Sequence, residues 1–270
     1  MVPKIAIIGY GFVGKAVHSA FNNCKILIVD PVLGKPYSEL NTFEPDYTFI
    51  CVPTPTNNEG AIDVSALFPS ISYVLNNTYS RIIVKSTVLP NLISDIIKGH
   101  NERIVYNPEF LTESNSFSDM INNDIILGGD EFETAKIEKL YREYSICNPK
   151  NYFHCSAYEA SWIKYISNTM LAVKVALLTQ YKEAVNDDLA WQHMIKILQK
   201  DSRLGTSHWQ IPGPDGKLGF GGSCFPKDCT ALLNSTDKLS IIQAAVNYNN
   251  SVRSKYELSD REKSQNIKFK

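Results

Sequence analysis

Three groups of residues in this 270-residue chain have types and spacings that could do chemistry. The first is Cys224, inside Gly219-Phe-Gly-Gly-Ser-Cys-Phe-Pro-Lys-Asp228. A cysteine acts as a nucleophile through its thiolate, which needs a setting that favours the anion. Here glycines let backbone N–H groups approach, and Lys227 is close in sequence; the competing reading is an inert buried thiol. The second is Lys164 and Asn168, one turn apart on a helical pattern. A lysine and an amide so placed could stabilise an oxyanion and orient a water. By spacing alone, a solvated lysine and a helix-face amide account for them more readily. The third is Gly9-Tyr-Gly-Phe-Val-Gly14, a G-x-G-x-x-G run between an apolar strand and a helix, with a second strand ending at Asp30. Gly9 permits a tight turn, Gly11 lets the backbone approach a pyrophosphate, and Gly14 lets helix and strand pack closely. Phe12 and Val13 lie at the helix start, where N–H groups and partial positive charge suit phosphates. Asp30 would accept from ribose hydroxyls and repel a 2′-phosphate, which favours NAD over NADP; the competing reading is a glycine turn without a ligand.

These residues need a scaffold, and the hydrophobic pattern supplies one. Apolar runs at 5–8, 25–29, 47–52, 81–85, 103–106 and 124–127 predict strands. Helical patterns at 15–22, 64–75, 92–98 and 131–144 alternate with them. Such alternation predicts a Rossmann-type, doubly wound parallel sheet over residues 1–155. From about residue 156 the character changes. No proline or glycine interrupts 158–185, and Trp162, Ile166, Thr169, Leu171, Val173, Ala176 and Leu177 recur at helical spacing. This predicts one long central helix, followed by helices at 189–199 and 241–252, in a mostly helical domain over 156–252. A Gly/Pro-rich stretch at 211–226 lies between the last two. The charged segment 253–270 is expected to fray.

Composition narrows the function classes. Apolar residues make up 44% and the formal net charge is -1, so a packed core is within reach and a strongly basic nucleic-acid binder is not expected. No stretch has the apolar length of a membrane span or of a secretory leader, and the chain is read as cytoplasmic. The six cysteines show no Cys-x-x-Cys spacing, so neither a metal site nor a disulfide framework is expected.

Four further segments carry a resemblance: Ile50-Cys-Val-Pro-Thr-Pro55, Lys85-Ser-Thr-Val88, Asn107-Pro-Glu-Phe-Leu-Thr-Glu113, and the Cys224 loop itself. With the helical Lys164/Asn168 pair, they resemble the UDP-glucose/GDP-mannose dehydrogenase family, in family order and over nearly the whole chain. The resemblance implies oxidation of a nucleotide-sugar primary alcohol to a carboxylate, with two NAD reduced and UDP-glucose the favoured substrate. Cys224 would attack the intermediate aldehyde to give a thiohemiacetal, then a thioester that water hydrolyses. Lys164, Asn168, Asp228, Glu113 and Thr87 are implied around that chemistry: Asp228 as partner of Lys164 and the water, Glu113 as candidate base, Thr87 as a hydrogen-bonding group for water or cofactor. Val52, Pro53, Thr54, Thr87, Glu113 and Lys227 join the glycine loop and Asp30 at the cofactor. Glu109, Phe110, Leu111, Phe220 and Gly221 join Lys164, Asn168 and Cys224 at the substrate. Arg203 is implied to reach the substrate from the other subunit of a homodimer formed through the long helix.

The chain departs from the family in length, ending near the helix that would lead into a second nucleotide-binding domain. Two other readings therefore stand beside the first. One is a one-step NAD-dependent dehydrogenase of a smaller hydroxy compound, which needs no cysteine. The other is a truncated, non-catalytic NAD-binding partner of a longer enzyme.

Overall fold

The computed structural model describes residues 2–100, 102–112 and 115–270. The chain divides into two compact units, residues 1–54 with 62–164 and residues 55–61 with 165–270. The division falls within one long helix, and the segment after the third strand joins the second unit.

The first unit is built on strands β1 (Lys4–Ile8), β2 (Lys25–Val29), β3 (Tyr47–Ile50), β4 (Arg81–Val84), β5 (Ile104–Tyr106), β6 (Ile125–Gly128) and β7 (Tyr152–Cys155). Their order in the sheet is β2-β1-β3-β4-β5-β6-β7. Helices α1 (Phe12–Ala20), α2 (Glu39–Phe43), α3 (Leu67–Asn77), α4 (Pro90–Lys98), α5 (Ser116–Asn122) and α6 (Glu131–Tyr144) connect them. One apolar cluster, including Ile8, Ile50, Val84 and Ile93, covers one face of the sheet; another, including Ile7, Val17, Phe49 and Tyr141, covers the other. Alternate residues of each strand feed the two clusters, which explains why the strands read as unbroken apolar runs.

The sheet is parallel except at one place. β5 and β6 are antiparallel, paired at Tyr106 and Gly128, a local feature within the expected Rossmann-type, doubly wound sheet. The chain leaves β5 and returns as β6 from the same end of the sheet after only the short α5. β7 lies outside the strands that the apolar pattern predicts. It is a four-residue edge strand whose Phe153 and His154 are exposed, so it carries no alternating pattern. Gly128 is fixed by packing against the start of the long helix α7 (Ala157–Val185): a Cβ there would meet Ala160 Cβ at 2.7 Å.

The second unit contains the rest of α7, then α8 (Asp188–Leu198), α9 (Phe225–Ser235), α10 (Ser240–Arg253) and α11 (Asp260–Ser264). Its core joins Ala172, Val175, Ala176, Trp191, Ile195, Trp209 and Phe220. The 253–270 segment does not fray. Ser259 opens α11 with a capping box, and Arg253, Glu262 and Ile267 are buried. Its buried charges are internally paired, a property that composition alone does not carry.

Candidate functional site

In the first unit, the glycine loop leaves β1 where the sheet order reverses, between β1 and β3, a place where open α/β sheets hold ligands. Gly9 takes φ +89, donates its N–H to Val29 O at 2.9 Å, and would put a Cβ 2.9 Å from the Cys51 and Val52 backbone. A Cβ on Gly14 would sit 2.1 Å from Gly9 O, so strand and helix approach to glycine distance. Gly11 caps α1 without a side-chain hydrogen bond, and a Cβ there would meet nothing within 4 Å. The loop thus holds open space at a helix N-terminus, which fits a pyrophosphate. α1 opens at Phe12, directly after Gly11, three residues earlier than its apolar pattern suggests.

Asp30 directly follows β2, and its carboxylate has a structural task that the sequence does not reveal. Its Oδ2 accepts from Tyr10 N at 2.7 Å and its Oδ1 from Val32 N at 3.0 Å. The carboxylate therefore braces the glycine loop, and each oxygen keeps capacity to accept from a ribose hydroxyl. Nearby motif residues are held by their backbones. Ser86 Oγ donates to Val52 O at 2.7 Å, and Thr54 Oγ1 donates to Thr87 O at 2.8 Å, with Val52, Thr54 and Thr87 buried and Pro53 exposed.

Lys164 Nζ donates to Glu109 O at 2.6 Å and to Glu109 Oε1 at 3.1 Å, and lies 5.2 Å from the Phe110 ring centroid. Glu109 Oε2 accepts from Leu111 N at 2.7 Å. The ammonium and the carboxylate are both buried, so this pair fixes the 109–111 segment. Glu113 lies outside the described residues. Beneath the segment runs a network that the sequence motifs do not announce. Lys85 Nζ and Tyr141 Oη both donate to Asn107 Oδ1, at 2.9 and 2.7 Å, and Asn107 Nδ2 donates to Ile126 O at 2.8 Å. Burial lowers the Lys85 ammonium to about 8, against the opposing pull of Cys51 and Glu109. The lysine inside Lys-Ser-Thr is its only sequence signal.

In the second unit, Cys224 is the N-cap residue of α9, with Pro226 in the first turn, where proline suits a helix start. Asp228 follows one turn on and donates its N–H to Cys224 O at 2.8 Å. Its carboxylate is fully buried and held on both oxygens: Lys227 Nζ donates to Oδ1 at 2.6 Å and Asn168 Nδ2 to Oδ2 at 2.6 Å. The helix dipole further favours negative charge in this turn. The second unit thus brings Asn168, Lys227 and Asp228 into one cluster at the helix that Cys224 caps. Phe220, on the loop before it, is clamped by Asn249, whose Oδ1 accepts from Phe220 N at 2.6 Å and whose Nδ2 donates to Phe220 O at 3.0 Å. Phe220 and Pro226 help to wall a cavity of about 430 Å³ together with residues 56–60 and Asn266. Arg203 is exposed, and its guanidinium forks onto the Asp201 carboxylate.

The six cysteines, all described, form no disulfide. Among the described residues no cluster of three or more His, Cys, Asp or Glu could hold a metal, and no helix is long and apolar enough to cross a membrane.

Comparison with known proteins bears on the family and the fold. The family model described as "UDP-glucose/GDP-mannose dehydrogenase family, NAD binding domain" matches residues 37–145, and that for the family's central domain matches residues 158–251. UDP-glucose 6-dehydrogenase of Rickettsia bellii is 34% identical over 210 residues, covering 73% of this chain and 46% of the relative. UDP-glucose 6-dehydrogenase AglM of Haloferax volcanii is 30% identical over 242 residues, covering 79% and 54%. The chain spans about half the length of these relatives. The fold is that of a UDP-glucose dehydrogenase from Pyrobaculum islandicum, with TM-score 0.74 and 22% identity over 93% of this chain and 68% of that one. A 3-hydroxyisobutyrate dehydrogenase from Mycobacterium tuberculosis shares it too, with TM-score 0.70 and 15% identity over 100% and 97%. With both domain models matched in order, the chain belongs to the UDP-glucose/GDP-mannose dehydrogenase family and carries its NAD-binding domain.

Proposed function

We propose that this chain oxidises a nucleotide sugar, UDP-glucose in the first instance, at its primary alcohol to the carboxylate through a covalent intermediate on Cys224. The observation that carries the reading is the cluster at the head of α9: a cysteine capping a helix whose first turn holds a buried, doubly anchored carboxylate. NAD, when bound, supplies the oxidant for both steps, two equivalents per sugar. The glycine loop and Asp30 would hold it, and Thr54, Thr87 and Lys227 are assigned to its neighbourhood.

The residues of the chain then do the following. Cys224 Sγ adds to the C6 aldehyde produced by the first oxidation, forming a C–S bond and a thiohemiacetal. The second oxidation leaves a thioester. Water adds to its carbonyl, the C–S bond breaks, and the thiol is returned with the carboxylate product. Lys164 and Asn168 stabilise the oxyanions with N–H donors. Asp228 keeps Asn168 oriented, Glu109 keeps Lys164 oriented, and Glu113 is assigned as the base for the water. Phe110, Leu111, Phe220 and Gly221 are assigned to substrate contact.

A second copy of the chain is part of the reading. Ile166, Met170, Leu177 and Tyr181 are exposed apolar residues at helical spacing on α7, a stripe suited to a partner helix. Arg203, exposed on its turn, is assigned to the partner's substrate. NADH formation by the purified chain with UDP-glucose, GDP-mannose and a small hydroxy acid tests the substrate class. Turnover with UDP-glucose supports the reading, and turnover with the hydroxy acid alone rejects it.

A further inference from the structure

The 253–270 segment holds two buried charges, Arg253 and Glu262, each 1% exposed. Burying charges is costly unless they are paired and hydrogen-bonded. Here they meet each other, with Arg253 Nη2 donating to Glu262 Oε1 at 2.8 Å and Arg253 Nη1 donating to Asp215 Oδ2 at 2.8 Å. The same Glu262 Oε1 accepts the backbone N–H of Gly222 at 3.0 Å, two residues before Cys224. Its Oε2 accepts from Ser259 N at 2.8 Å, so the α11 cap fixes the carboxylate from the other side. Burial alone would raise the Glu262 carboxyl, but the Ser259 and Gly222 N–H groups and Arg253 together hold it below the usual range.

The glycines of the loop are shaped by this packing. A Cβ on Gly221 would stand 2.0 Å from Arg253 Nη2 and 2.7 Å from Glu262 Oε1, and one on Gly219 would stand 2.5 Å from Asn249 Oδ1. The space that glycine leaves here is filled by α10 and α11. The segment is itself anchored beyond α11: Ile267 is buried, Asn266 Nδ2 donates to Thr56 O at 3.0 Å, and Lys268 Nζ donates to Asn58 Oδ1 at 2.7 Å.

We infer that the 253–270 segment is a brace for the nucleophile loop, with Arg253 and Glu262 as positioning residues that fix Gly219–Gly222 and so the placement of Cys224. Its consequence for catalysis rests on the role proposed for Cys224 above; the brace itself does not.

The test is the rate of Cys224 alkylation by iodoacetamide in the full chain, read by peptide mass spectrometry with Cys155 as internal reference. Losing a charge-assisted hydrogen bond to a loop N–H weakens the braced arrangement of the loop by roughly tenfold. Glu262→Ala is therefore expected to alkylate at Cys224 about tenfold faster, with Cys155 and NAD affinity unchanged. Glu262→Gln keeps an acceptor for Gly222 and should restore part of the wild-type rate. In turnover, the Ala variant should lose kcat with KM for NAD unchanged. If Glu262→Ala fails to fold, the buried Cys51 and Cys229 react as well, and Glu262→Gln and Arg253→Met then decide. A folded variant with wild-type Cys224 reactivity overturns the brace. Faster alkylation with unchanged kcat supports the brace and counts against the catalytic role of Cys224.

Discussion

Asn168 and Asp228, 60 residues apart in the chain, meet in a buried hydrogen bond of 2.6 Å that ties the long helix α7 to the first turn of α9. Lys227 holds the other carboxylate oxygen, so the two contacts leave the side chain a single orientation. Asp228→Asn would leave the Lys227 ammonium buried without its counter-charge. We expect a loss of about 3 kcal/mol or more of stability, measured by urea unfolding, together with loss of turnover. Unchanged stability would mean that the pair is not formed in solution.

Asp30 braces Tyr10 and Val32 through its two carboxylate oxygens, and its negative charge is proposed to select against a 2′-phosphate. Asp30→Asn keeps acceptor capacity but removes the charge. The NAD-over-NADP affinity ratio should fall about tenfold or more, as read by isothermal titration. An unchanged ratio would remove Asp30 from cofactor selection.

Lys85 offers a pH test. Its folded value, about 8, lies below the ordinary lysine value of 10.5. At pH below about 8 the lysine is charged both folded and unfolded, and its burial penalty is present in full. Between the two values the lysine holds its proton in the unfolded chain but not in the folded one, so its own contribution to stability rises with pH there, by about 3 kcal/mol in all. The stability of the wild type relative to Lys85→Met, by urea unfolding, should rise by that amount across this range. A wild-type slope in the variant would assign the effect to another group.

The exposed α7 stripe predicts association. Light scattering at micromolar protein should give a dimer, and Met170→Lys, with a charge at a 68% exposed apolar position, should give a monomer. A wild-type monomer would leave Arg203 without a role across subunits.

The residues proposed to carry chemistry are more legible in the sequence than those that hold them. Gly9, Gly11, Gly14 and Asp30 stand out because glycine at all three spacings, between a strand and a helix, meets the needs of a dinucleotide loop. Cys224 is legible through its glycine-rich setting, but not as the residue that opens α9, because Gly/Pro-rich sequence hides a helix start. The strands of the first unit are readable because both faces of the sheet are covered. β7 and the antiparallel β5–β6 contact are not, since a short edge strand has no period and pairing direction leaves no local mark. The supporting partners are long-range pairs: Lys85 with Asn107, Asn249 with Phe220, Glu262 with Gly222. In a linear reading, Arg253 and Glu262 are only charged residues near a charged end.

The most direct test of the central claim is NADH formed per UDP-glucose consumed by the purified chain, with intact-mass spectrometry for a sugar adduct on Cys224. Two NADH per sugar, an acid product, and an adduct that is absent from the Cys224→Ser variant are expected. One NADH per sugar, or two with wild-type turnover in the Ser variant, would contradict the covalent route.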